Sequence, residues 1–155
     1  MPQNTLSYPI DELIVQNVVS TLKKCTLNAG YHFNLIVERE NQRGNSPRQG
    51  LVVVMAGDPI PQPSPPLLHD EFRIPIGMQG FVMESEVSGR DIETQLRFMA
   101  ADIRRALRAD LHRGALAVNT HFEAADQFFL EASPKHVLVT VMPQYRTLYN
   151  DPYNQ

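Results

Sequence analysis

Five prolines fall within the eight residues from Pro59 to Pro66, and no other stretch of this 155-residue chain restricts its own backbone so tightly. Each proline fixes its φ and removes a backbone donor, which excludes a helix or a central strand over Asp58–Pro66. The segment reads as a stiff, extended, polyproline-like arm leaving a compact domain. Such an arm adds little to the core of so small a domain, so its contacts are expected outside it.

One domain spanning 1–155 fits this length, and folding it buries roughly 70% of the unfolded chain's surface. Two loops, 39–50 and 58–70, are expected to project, and the polar tail 150–155 to be loose. No apolar run approaches the roughly 20 residues of a membrane span. The start, Met1-Pro2-Gln3-Asn4-Thr5, lacks the basic and apolar regions of a secretory signal. A single cysteine, Cys25, excludes an internal disulfide and any CxxC site. A formal charge of −3 is too small to make the whole molecule a polyanion binder. These features point to synthesis in a reducing cytoplasm.

Hydrophobic periodicity supplies the elements. Pro9 suits the first position of a helix, with Asp11 and Glu12 in its first turn. Ile10, Leu13, Ile14, Val15, Val18, Val19, Leu22 and Cys25 cover about half its circumference, wider than one core requires. Either the helix is sunk deep in its own domain or a neighbouring subunit shares it. His32–Glu38 reads as a strand, and Leu51–Met55 as a central strand covered on both faces. Glu71–Glu86 reads as a bent strand interrupted by Pro75, Gly77 and Gly80, at an edge of the sheet. Ser88-Gly89-Arg90-Asp91 opens a second helix that runs to about Leu111 with Ile92, Leu96, Met99, Ile103, Ala106 and Leu107 as its core stripe. Val118–Leu130 reads as short strands or a hairpin around Ala124–Asp126. His136–Met142 reads as a strong strand that continues past Pro143. The fold class is α+β: a mostly antiparallel or mixed sheet of about five strands with two main helices on one face.

The chain offers little for chemistry. His32, His69, His112, His121 and His136 form no HExxH or HxH pattern. His69-Asp70-Glu71 reads as a solvated strand entry, since adjacent residues of an extended chain point to opposite sides. Cys25 lies on the apolar arc and reads as a buried thiol. Glu84 and Glu86 share a strand face and read as solvated. No nucleophile elbow, P-loop or dinucleotide fingerprint is present. We therefore expect no enzyme, no cofactor and no metal. The alternative from another class is a small cytoplasmic enzyme or ligand-binding domain using His69, Asp70 and His121.

Two surface features remain. Arg97, Arg104 and Arg108 fall within roughly 40° on the second helix and form a basic ridge, with Arg90, Arg105 and Arg113 nearby. The ridge reads as a solvated face paired with Glu93 or Asp102, or as an interface with a partner's acidic surface. Phe98 stands on the polar side of that helix and reads as an exposed contact. The candidate interface residues are Arg97, Phe98, Arg104, Arg105 and Arg108 on the helix, Arg43 and Arg48 in the first loop, and Pro61, Pro63 and Pro65 in the arm.

The opening helix and strand with Asn28-Ala29-Gly30-Tyr31, the strand Leu51–Met55 leading to Gly57-Asp58, the helix with Asp102-Ile103-Arg104-Arg105-Ala106-Leu107, and the closing Tyr145–Tyr153 resemble the tail terminator (tail completion) proteins of long-tailed bacteriophages. The resemblance spans nearly the whole chain as a pattern of elements. It implies an α+β subunit that closes into a ring, commonly a hexamer, at the neck end of a virion tail assembled in the host cytoplasm. Such a ring caps the tail tube, stops its polymerisation and presents a surface to the head connector or stopper. DNA passes through the lumen without sequence-specific contact. A head–tail connector or stopper protein shares the same signature and is the nearer alternative.

Overall fold

The computed structural model describes residues 8–40, 47–63, 69–83, 91–123 and 125–148. Among these residues the fold is α+β, two helices and a mixed sheet of eight strands. In chain order these are α1 (Ile10–Lys23), β1 (Ile36–Arg39), β2 (Leu51–Ala56), β3 (Ile60–Gln62), β4 (His69–Arg73), β5 (Ile76–Phe81), α2 (Ile92–Arg108), β6 (Asn119–Phe122), β7 (Gln127–Phe129) and β8 (His136–Leu148).

The sheet is larger than the five or so strands expected, because three extended ribbons are each broken once. β4 and β5 keep a single register along one edge of β8, with Arg73 opposite Gln144 and Ile76 opposite Val141. Only Ile74-Pro75 separates them, and the Ile74 amide still donates to the Pro143 carbonyl at 3.0 Å. β2 and β3 run along the other side of β5 and β4. Between them the chain advances from Ala56 to Ile60 while its partner moves from Ile76 to Arg73, a one-residue bulge. β6 and β7 each pair with β8 and so follow one another along its second edge rather than forming a hairpin. β1 pairs with β2 in parallel, and every other pairing is antiparallel.

The bent strand is interior, not at an edge: β5 lies between β2 and β8, and β4 between β3 and β8. Gly80 permits this, since a Cβ there would lie 2.7 Å from Cγ of Met99 on α2. Both helices pack on the face formed by Val52, Val54, Ile76, Met78, Val137, Val139 and Val141. Leu51, Val53 and Phe81 point to the opposite face, where they form a second small cluster with Met55. β2 is thus covered on both faces, as its unbroken apolar run requires.

Element ends differ from the pattern reading for local reasons. Pro9 caps α1 instead of opening it. β1 starts at Ile36, not His32, because the preceding amides have other acceptors: His32 and Phe33 donate to Asp102, and Leu35 to the Cys25 carbonyl. α2 stops at Arg108 rather than near Leu111. The buried Arg113 guanidinium donates to the Leu107 carbonyl and closes the helix end.

Candidate interaction surfaces

The proline arm enters the sheet. Ile60–Gln62 forms β3 with Pro61 opposite Phe72, so the first half of the arm is an edge strand and not an unpaired polyproline helix. Pro61 has no amide hydrogen, and a strand tolerates that where the missing donor faces away from the sheet. The outer edge of β3 is blunted by its own residues. Pro61 and Pro63 are exposed, Ile60 is 45% exposed, and Pro65 lies outside the described residues.

The arginine ridge is engaged within the chain. Arg104 grips Asp126 through Nε at 3.0 Å to both carboxylate oxygens and through Nη2 at 2.6 Å, and donates to the Glu123 carbonyl at 3.0 Å. Asp102, the other expected acid, faces elsewhere. Arg97 pairs with Glu93 at 2.7 Å and lies over the Phe128 ring. Arg104 and Arg108 both lie over Phe122. The ridge therefore latches β6 and β7 against α2, leaving Arg97 and Arg108 exposed. Arg105 donates to the Gly30 carbonyl at 2.7 Å and lies over Tyr31. Arg48 pairs with Glu38 at 3.1 Å, and Arg43 lies outside the described residues.

Phe98 is half-buried, not exposed, because His32 stacks on it at 4.4 Å with an interplanar angle of 3°. That histidine belongs to a site the sequence reading missed. Asp102 is 1% exposed on α2. It accepts the His32 amide at 2.9 Å, the Phe33 amide at 3.1 Å and Nδ1 of the His32 ring at 2.8 Å. A buried carboxylate needs such donors. The signal was legible: Asp102 falls three residues after Met99 and four before Ala106, inside the apolar stripe. The arrangement holds one imidazole in place. The nearest thiol, Cys25, is buried, and burial is the main cause that pushes it from 9.0 up to about 11.

Metal-ligating residues do not converge. Among the described residues no group of three His, Cys, Asp or Glu is placed to hold an ion. Glu71 accepts from Nε of Arg146 at 2.7 Å, and Nε2 of His121 meets Oε1 of Gln144 at 3.3 Å. Glu84, Glu86 and the tail 150–155 lie outside the described residues.

Among the described residues, one concavity lies along α1. Tyr8, Glu12, Gln16, Val19, Ser20, Lys23 and Arg39 line an open groove of about 490 Å³ beside β1. Arg39 reaches Glu12 across it at 2.6 Å, and that hydrogen bond holds the Glu12 carboxyl below the usual range. No described helix is long and apolar enough to cross a membrane. No protein-family model matches the chain, and no curated protein matches it.

Proposed function

We propose that this chain is a structural subunit of a bacteriophage neck, a tail terminator that closes into a ring, caps the tail tube and meets the head connector or stopper. One observation carries the reading. The helices cover a single face of the sheet, while the other face and its edges hold apolar side chains that remain partly exposed: Ile36 at 38%, Ile60 at 45% and Phe129 at 39%. These side chains are apolar area that a neighbouring subunit could bury. The buried Asp102 and the Arg104 fork are spent on contacts within the chain, which leaves Arg97 and Arg108 as the ridge charges open to a neighbour.

The ring would use a heterologous contact that closes on itself. Arg97 and Arg108 are the ridge residues with exposure to offer, and Pro61 and Pro63 present the ribbon to the tube or connector. Size-exclusion chromatography with light scattering, followed by negative-stain imaging, tests the reading. The expected species is a discrete ring, about 105 kDa for six subunits of 17.5 kDa. Arg97→Glu with Arg108→Glu should weaken it without altering circular dichroism. A strict monomer at every concentration, with no binding to tail tubes, would overturn the reading.

A further inference from the structure

α1 runs antiparallel to β1. Its C-terminal end meets the start of the strand, where the Leu35 amide donates to the Cys25 carbonyl at 3.0 Å. Its N-terminal end meets the finish, where Arg39 reaches Glu12. β1 is an outer strand that pairs with β2 alone. Amides along a strand alternate in direction. Ile36 donates inward to the Gly50 carbonyl at 2.9 Å, whereas Leu35 donates the other way. The Val37 and Arg39 amides therefore face out of the sheet, and no acceptor among the described residues takes them.

The α1 groove adjoins this edge at Arg39, the one β1 residue in its lining. Its helical wall from Glu12 to Lys23 is about 16 Å long, the length of about five extended residues. An edge strand next to a helix-walled groove is the arrangement by which an extended peptide adds to a sheet. Charge along the groove is uneven. Glu12 and Arg39 neutralise each other at one end, Val19 provides an apolar spot in the middle, and the exposed Lys23 stands at the other end without an anionic partner among the described residues.

From the free edge and this charge pattern we infer that the α1–β1 groove binds an extended acidic segment of a partner protein, antiparallel to β1. Antiparallel pairing is the more stable form per residue. A segment in that direction enters at the Glu12–Arg39 pair and leaves at Lys23. Its alternate side chains then meet the pair, Val19 and Lys23 in turn. The matching pattern is a hydroxyl, an apolar β-branched residue and a carboxylate at every second position. This inference stands apart from the ring reading.

The probe is a fluorescein-labelled Ser-Thr-Val-Thr-Glu peptide amide, titrated with the full chain and followed by fluorescence anisotropy. Replacing its glutamate by lysine should weaken binding about tenfold, and Lys23→Glu in the protein should reverse the preference. A peptide N-methylated at alternate amides should not bind. Ser20→Trp, at an exposed helix position, should abolish binding while leaving the thermal melt and the oligomeric mass unchanged. No binding, or equal binding of all three peptides, would overturn the inference. So would a change of oligomeric mass in Ser20→Trp, because a second copy of the chain would then be the occupant. The mass of the wild-type protein tests the ring reading separately.

Discussion

Replacing Asp102 by alanine should be among the most destabilising single changes in this chain. Its carboxylate takes three hydrogen bonds, two of them from the backbone of the loop that leads from α1 into β1. Hydrogen bonds to a charged group contribute about 1.5–3 kcal/mol each, and a buried donor left unpaired costs about 1–3 kcal/mol. The Phe33 amide is buried and would lose its only acceptor. The His32 ring is half exposed and would recover water. The net loss should be about 3–4 kcal/mol, a large share of the roughly 5–15 kcal/mol that holds a domain together. For a domain of this size that lowers the melting temperature by about 10 °C. Asp102→Asn keeps an acceptor for the amides and loses the charge, so it should fall between. His32→Ala removes one exposed bond and the stack on Phe98, and should cost about 1 kcal/mol. Urea unfolding followed by circular dichroism, with unchanged slope, measures all three. The reasoning fails if Asp102→Ala unfolds within about 1 kcal/mol of wild type, or if His32→Ala is equally damaging.

Two further outcomes follow from the same structure. Arg104→Ala should destabilise by about 2 kcal/mol, because its fork is largely buried against Asp126 and Glu123, while Arg97→Ala should change stability by less than about 0.5 kcal/mol; urea midpoints distinguish the two. Cys25 is held as a neutral thiol in the fold, so the unfolded chain releases that proton first, and stability should fall as pH rises from about 9 to about 11. Cys25→Ala should flatten the urea-midpoint profile between about pH 9 and pH 10, leaving the loss above about pH 10 that follows from the Tyr145 hydroxyl, which burial pushes up from 10.0.

Periodicity revealed what burial controls. The stripe Leu96, Met99, Ile103, Ala106 and Leu107 is the buried face of α2, and Leu51–Val54 is buried throughout. Phe72, Ile74, Ile76, Met78 and Val82 share one parity of the alternation, and they lie under the helices, the last four in the main core and Phe72 packed against it. The strand count was not legible, because a break in a ribbon is decided by its partner strand. Ile74-Pro75 looks like a bend in one strand until β8 is laid beside it and one register is seen to continue across it. The role of the arginines was hidden for a similar reason. Arg104 and Asp126 are 22 residues apart, and helical spacing gives no sign that they meet. Asp102 was the reverse case, a charge on an apolar stripe whose partners the pattern demanded but did not name.

Each outer strand of the sheet limits further pairing in a different way. β6 and β7 have four and three residues, too short to template a long partner. β1 keeps free amides beside α1, so pairing there is confined to the one extended segment inferred above. β3 is an outer strand, and Pro61 within it and Pro63 just after it lack the donors an incoming strand needs. Restoring a donor there is therefore the sharpest test of what the proline arm does. Pro61→Val with Pro63→Thr keeps an extended, β-favouring backbone and rearms the edge. The double variant should keep its circular dichroism and show association that rises with concentration beyond the wild-type mass by light scattering. If its mass stays at the wild-type value across the same concentrations, the prolines do not guard that edge. Their stiffness would then be what matters, as it would for an arm that makes its contact through its tip.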